Sequence, residues 1–345
     1  MSVNRRSFIR NMSLCIAGLT YGSFGKTYEA VATPANLQES SVSLTAGNDR
    51  RDILYHALKP FKNEVQRGIE GKQVIIKPNL VYQDNPLCVT DPDAVRAVLD
   101  FLKPMYDRPV IIAESSIARI GTLGVYEQYG YNALEKEYGA KLVDLNQDTY
   151  TPVWITDSKR HPLAVNIIDT YLNPDNYIIS VARMKTHDCV FATLAMKNMI
   201  MGSPITLRDD NLNEKPKMHE GGVTGINHNI FLVAQKVRPE FSVVDGFVGM
   251  EGNGPIGGTP VEHRIALAGP DVVSVDRIGL ELMGIPYEDI GYLQWCSNAG
   301  IGQGDRTKIR VIGPDPAAHS IKYRLHEKAD KQHGWKDGIL EDPRR

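Results

Sequence analysis

The chain has little cysteine, and what it has is scattered. None of its four cysteines forms a C-x-x-C pair, and three of them, Cys88, Cys189 and Cys296, lie beyond residue 32. A cysteine-ligated iron–sulfur cluster takes four thiolates, so no ferredoxin-type cluster is expected. In an oxidising compartment one disulfide with a leftover thiol fits this number, and so do three buried free cysteines. Long apolar runs are also missing. A membrane helix needs roughly 20 consecutive apolar residues, and no such run occurs, so no membrane span is expected. Nor does either sign of charge dominate. Lys and Arg number 39 and Asp and Glu 41. Setting aside the four basic and one acidic residue of positions 1–32 leaves 35 and 40, a formal charge of −5. That surface has no electrostatic footprint for nucleic acid. The remaining length is enough to bury the core of one large domain.

The N-terminus, by contrast, is ordered in its composition. Asn4-Arg5-Arg6-Ser7-Phe8-Ile9-Arg10 sets two adjacent arginines a fixed distance before an aromatic and an aliphatic residue. Asn11 to Gly25 carries no charge and contains Gly18, Gly22 and Gly25, and Ala30-Val31-Ala32 is a small-x-small site. Basic start, apolar middle and cleavage site are the three parts of a secretory signal, and the arginine pair makes it resemble a twin-arginine leader. The expectation is removal of 1–32, a linker over 33–48, a working location in the periplasm or elsewhere outside the cytoplasm, and the twin-arginine export machinery as a partner. Leu14 before Cys15 does not fit a lipoprotein anchor.

From Asp49 onward, helical and strand patterns alternate. Ile53, Leu54, Ala57, Leu58, Phe61 and Val65 recur near helical spacing, predicting a helix over 49–68. Short apolar runs at Val74–Ile76, Val110–Ala113, Lys141–Val143, Tyr177–Val181, Phe241–Val244, Ile265–Ala268 and Ile309–Ile312 read as strands, most of them buried on both faces. Thr90-Asp91-Pro92-Asp93 and Asp271 are helix starts, with a cap, an early proline or first-turn acids. Further helices are predicted over 126–138, 192–201, 230–237, 271–283 and 287–297. Residues 150–169 read as a hairpin-like insertion, 202–225 as a long polar loop and 316–345 as a charged surface tail. The expected fold is a single α/β domain over 49–315, a mostly parallel sheet with helices on both faces.

In such sheets ligands bind beyond the carboxyl ends of the strands. The predicted strands lead there into Lys77-Pro78-Asn79, Glu114-Ser115-Ser116, Arg183-Met184-Lys185-Thr186-His187-Asp188, and Asp245-Gly246 with Glu251-Gly252-Asn253-Gly254-Pro255 beyond it. A lysine in this place holds a phosphate or carboxylate as a point charge. Lys77, Asn79, Lys185, Thr186, Lys197, Asn198, Gly252, Asn253 and Gly254 are therefore the candidate anion- or cofactor-binding residues. His187, Asp245 and Glu251 are the candidate acid/base residues. A divalent metal held by His187 and His219 is a further candidate, although these lack the tight spacing of a zincin helix. The glycine run from 246 to 258 is neither a Walker loop nor a G-x-G-x-x-G turn, and names no nucleotide.

Several of these stretches together resemble one family. They are Val74 to Leu80, Thr90 to Leu99, Lys185-Thr186-His187, Ala195-Met196-Lys197-Asn198, Val244-Asp245-Gly246 with Glu251-Gly252-Asn253-Gly254-Pro255, and Asp271 to Asp276. The resemblance is to the bacterial and archaeal "domain of unknown function 362" family, over about residues 50–315. Some members carry ferredoxin-type modules; the cysteines for one are absent here, and no activity follows from membership. A fainter similarity is to the nickel-pincer lactate racemases, which implies Lys197 as a cofactor-attachment site and His219 as a metal ligand. The resulting expectation is an exported enzyme acting on a small anionic molecule by acid/base or redox chemistry, with or without a metal. A non-catalytic anion- or metal-binding protein and a maturation factor for an exported redox protein are the alternatives.

Overall fold

A computed structural model describes residues 39–207 and 212–338, so the expected leader lies outside the described residues. The strands are β1 Ser40–Ala46, β2 Gln73–Lys77, β3 Ile111–Glu114, β4 Lys141–Asp144, β5 Tyr150–Thr156, β6 Pro162–Ile168, β7 Asn176–Thr186, β8 Ala192–Thr193, β9 Thr206–Leu207, β10 Leu212–Asn213, β11 Phe241–Glu251, β12 Thr259–Val261, β13 Ile265–Gly269 and β14 Ile309–Ile312. The helices of eight or more residues are α1 Arg50–Leu58, α2 Pro92–Leu102, α3 Gly121–Gln128, α4 Ala195–Gly202, α5 Gly222–Ala234, α6 Val272–Leu282 and α7 Gly291–Asn298.

The central sheet has the order β14-β1-β13-β11-β7-β2-β3-β4, with β8 paired to β7 and β12 to β11. Strands β11, β7, β2, β3 and β4 run parallel. β13 is antiparallel to both its neighbours, β1 and β11, and β14 lies parallel to β1. The fold is thus the expected α/β class with a mostly parallel sheet. Two cores flank it. Ile178 and Met184 of β7 pack on one face with α4, α5, α6 and α7. Ile179 and Val181 pack on the other with α1, α2 and α3. The alternation follows from the two-residue period of a strand, and full burial of every β7 residue explains its continuous apolar run.

The connections create one special place. After β2 the chain crosses through α2 on one face to β3; after β7 it crosses through α4 and α5 on the other face to β11. β2 and β7 are adjacent in the sheet. Their crossovers leave to opposite faces, which makes the place between their carboxyl ends the switch point, where open α/β sheets bind ligands.

Several boundaries differ from expectation. The linker expected over 33–48 contains β1, which pairs with β13 and β14 and buries Val42 and Leu44. Its serines hide the alternation, and both partners lie more than two hundred residues away. The helix expected over 126–138 is two pieces, 121–128 and 132–138, separated by Gly130 in the left-handed region (φ 75°). Pro60 breaks the 49–68 helix into two α segments joined by a 3-10 turn. The loop expected over 202–225 holds the short β9–β10 pair and a 3-10 turn at Lys215–His219, and α5 begins at Gly222. The hairpin over 150–169 forms as expected from β5 and β6. The described part of the expected surface tail, 316–338, buries Tyr323 and Gln332.

Candidate functional site

A connected polar cluster fills the switch point. Lys77 ends β2 fully buried, and its Nζ lies 2.6 Å from Glu114 Oε2 at the end of β3. The same ammonium donates to Asn198 Oδ1 on α4 at 3.1 Å. Asn79 Nδ2 donates to that oxygen at 2.9 Å, and Asn79 Oδ1 accepts from Lys185 Nζ of β7 at 2.6 Å. Asn198 Nδ2 donates to Ser180 Oγ at 3.0 Å. One asparagine therefore orients two strands' lysines through a second asparagine. The close approach of α4 to Lys77 requires Gly202, because a Cβ there would stand 2.2 Å from Lys77 Cε. Helix α4 has no side-chain cap of its own. Asp276 of α6 supplies one from outside, accepting from the backbone N–H of Ala195 and Met196 at 2.8 and 3.0 Å, and so fixes the turn that carries Lys197 and Asn198.

The electrostatics of the cluster are lopsided. Lys77, Arg183, Lys185 and Lys197 are all buried. Burial lowers the Lys77 ammonium below its ordinary range even though Glu114 supports the charge. Burial, with Lys197, Arg183 and Lys77 adding their repulsion, brings Lys185 down to about 7. No carboxylate among the described residues forms an ion pair with Lys185; its side-chain partner is the neutral amide of Asn79. Arg183 is spent on backbone, donating to the carbonyls of Val89 and Val248. Burial and the charge of Lys197 push His187 down to about 4, against the opposing pull of Asp188. Its Nδ1 lies 3.0 Å from the Cys189 N–H and 2.9 Å from Asp188 Oδ1.

The 187–191 turn is held from the C-terminus. Gln332 Nε2 donates to the His187 carbonyl at 2.8 Å, and Gln332 Oε1 accepts from the Phe191 N–H. The glycine-rich turn is held by the same segment. Glu251 Oε2 accepts from the Arg324 N–H at 2.9 Å, the Gly252 N–H donates to the Arg324 carbonyl, and Asn253 exchanges two hydrogen bonds with Glu327. Thr186 Oγ1 donates to the Gly252 carbonyl at 2.9 Å, and a Cβ on Gly254 would stand 2.2 Å from the Thr186 carbonyl oxygen. The glycines thus let the turn lie flat on β7.

Of the residues expected from the sequence, Lys77, Asn79, Lys185 and Asn198 meet directly, and Lys197 and His187 stand within their electrostatic reach. Glu251, Gly252, Asn253 and Thr186 are instead engaged with one another or with residues 324–327. Asp245 is fully buried 3.3 Å from Arg50 Nε, and Arg50 also pairs with Asp91 at the start of α2. The group that could hold a metal around His187 is completed by Asp188 and Cys189, with ligand atoms within 4.8 Å of one another. His219, in the 3-10 turn before α5, is not part of that group. The positive charges of Lys185 and Lys197 on His187 oppose a cation there. The three cysteines expected to persist are buried free thiols, and burial raises Cys88 and Cys296 above the usual thiol range. Sequence reasoning singles out neither Ser180, Asp276 nor Gln332 as site residues. A lone serine inside the apolar 177–181 run is the one signal available for Ser180; Gln332 gives none.

Fold and cluster together define an α/β protein with a buried cationic centre at the switch point of its parallel sheet. The chain belongs to the family described as Domain of unknown function (DUF362), whose model matches residues 74–281. It is 27% identical over 219 residues to a thylakoid-associated protein of Synechocystis sp., covering 62% of this chain and 63% of that one. The chain thus spans less than two thirds of that relative's length. A crystal structure of a Thermotoga maritima protein aligns with TM-score 0.40 and 11% identity over 63% of this chain and 55% of that one. No helix among the described residues is long and apolar enough to cross a membrane.

Proposed function

We propose that this protein is an enzyme that binds a small anionic molecule at the carboxyl ends of β2 and β7 and moves a proton there. One observation carries the reading: four buried cations crowd the switch point, and Lys185 among them has an amide rather than a carboxylate for a partner. Uncompensated buried charge is costly, and a fold that keeps it gains by pairing it with an anion. Lys185 and Lys197 hold the anion, and Asn79, itself held by Asn198, orients Lys185. Lys185, brought down to about 7, is suited to give and take a proton near neutrality. His187, pushed down to about 4, is a neutral ring near neutrality. This reassigns the acid/base role expected of His187, Asp245 and Glu251. We propose further that the segment 1–32 exports the folded chain by the twin-arginine route; replacing Arg5 and Arg6 with lysine is expected to leave the protein in the cytoplasm, as fractionation reads.

The test of the site is calorimetry with phosphate and short carboxylates at pH 6 and pH 8.5. Binding is expected at pH 6, weaker at pH 8.5 as Lys185 loses its proton, and lost in Lys185→Met and Lys197→Met. Equal binding in both variants and at both pH values sinks the reading.

A further inference from the structure

One buried hydroxyl beside the centre is left over. Six buried side-chain polar atoms have no hydrogen-bond partner among the described residues, and Thr193 Oγ1 is one of them. Two others, Arg50 Nε and Asp245 Oδ2, face each other at 3.3 Å as an ion pair. Thr193 Oγ1 has no such counterpart among the described residues, and the residue is only 4% exposed. The large majority of buried hydroxyls are satisfied, so one that is not calls for a reason.

Its position supplies one. Strand β11 takes one flank of β7 as far as Met250 opposite Lys185. On the other flank β2 pairs only as far as Lys77 opposite Ser180. Past that point Thr90 Oγ1 donates to the Val181 carbonyl at 2.8 Å, and β8 then resumes the pairing, with Thr193 opposite Lys185 and Ala192 opposite Thr186. Because β11 already occupies one side of Lys185, Thr193 lies on the flank that β2 vacates, where Asn79 accepts from the Lys185 ammonium. Directly opposed residues of an antiparallel pair point to the same face, with Cβ atoms about 5 Å apart. The unpaired hydroxyl and the lysine whose side-chain partner is a neutral amide therefore rise from one face of the same short ladder.

We infer that Thr193 is a further binding residue of this site: its hydroxyl donates to one oxygen of an oxyanion, a carboxylate or phosphate, while Lys185 pairs with another. This rests on the anion-binding reading above and gives its ligand a chemical class and a second anchor. A threonine hydroxyl carries one donor hydrogen, and each oxygen of a carboxylate or phosphate has lone pairs to receive it. A hydrogen bond to a charged acceptor is stronger than one between neutral groups. The cost of keeping an unsatisfied hydroxyl in the free protein is then offset when the anion binds.

The experiment reads stability and affinity in the same variants, by urea unfolding of the free chain and by calorimetry at pH 6 with phosphate and with acetate. Thr193→Val keeps the branched shape and removes the hydroxyl. Its urea midpoint is expected to equal or exceed that of wild type, because a buried polar group without a partner is lost. Its affinity for both anions is expected to fall about tenfold, the scale of one hydrogen bond to a charged group. Thr193→Ser keeps the hydroxyl and is expected to bind both anions nearly as wild type does. A lower midpoint in Thr193→Val overturns the inference, since the hydroxyl would then serve the fold. Equal loss of affinity in Thr193→Ser and Thr193→Val overturns it too, because shape and not the hydroxyl would be at work. Unchanged affinity in Thr193→Val, with binding intact in wild type, overturns it and leaves the anion reading standing. Absence of binding by wild type removes the anion reading and this inference together.

Discussion

Two polar regions lie at the carboxyl edge of this sheet, and they are built on opposite principles. The glycine-rich turn from Glu251 to Gly254 looks chemical in sequence, yet its polar groups are satisfied by Thr186, Arg324 and Glu327. The β2–β7 centre uses ordinary lysines and asparagines, yet sets the buried Lys185 against a neutral amide. A satisfied polar network fixes a structure; an electrostatically unbalanced one is where the proposed ligand would be read.

The sharpest test of that contrast is to break one ion pair in each region. Glu114→Ala strands the buried Lys77 ammonium and is expected to cost about 3–5 kcal/mol in urea unfolding. Glu251→Gln, at a partly exposed pair with Arg324, is expected to cost less than about 1 kcal/mol. Similar losses at both would erase the comparison.

The next largest effect is a pH dependence. The folded Lys185 titrates at about 7, below its ordinary 10.5. The unfolded chain therefore binds more protons between these values, and stability contributed at this position rises with pH across that window. Below pH 7 the buried charge weighs fully on the fold. Denaturant titrations of Lys185→Met are expected to lack this rise, and to show greater stability than wild type at pH 6. A parallel rise in the variant would place the effect in another group.

Asp276 should show the reverse slope over a lower range. Burial raises its carboxyl to about 7 from 3.8, despite two backbone N–H groups that favour the charge. The unfolded chain releases that proton first, so stability falls as pH climbs from about 4 to 7. In Asp276→Asn the fall should vanish, while loosening of the α4 start lowers anion affinity severalfold through Lys197 and Asn198. Unchanged affinity would confine Asp276 to the helix cap.

The smallest effect is expected at Asn253→Ala, which removes exposed contacts to Glu327. Its stability change should stay within about 1 kcal/mol, and calorimetric affinity for acetate should match wild type. A large loss of affinity would return the glycine-rich turn to the site.

Much of the fold is legible because buried parallel strands are nearly continuous apolar runs and helix starts carry caps. Val74–Ile76, Val110–Ala113 and Tyr177–Val181 announce themselves, as do Asp91 and Asp271, each of which accepts a hydrogen bond from its own helix. β1 does not, because Ser40, Ser41 and Ser43 interrupt its pattern and its partners are remote. In the site, strand-end position alone picks out Lys77, Asn79 and Lys185, since the parallel topology gathers the residues just beyond each strand. It also picks out Glu251 and Asn253, because sequence shows that a group is polar and not whether something already satisfies it.

By itself, then, the sequence determined the class of fold, the run of strand-end cations and the absence of a cysteine set for an iron–sulfur cluster. These depend on local periodicity, composition and spacing. Tertiary structure alone decided that β2 and β7 are neighbours, that Asn79 and Asn198 join their lysines, that Asp276 caps a helix eighty residues before it, and that residues 324–332 bind the turns around the centre. The reason is physical. The charge state of Lys185 and the role of Glu251 are set by burial and by which groups lie opposite, and both are fixed only when distant segments pack together.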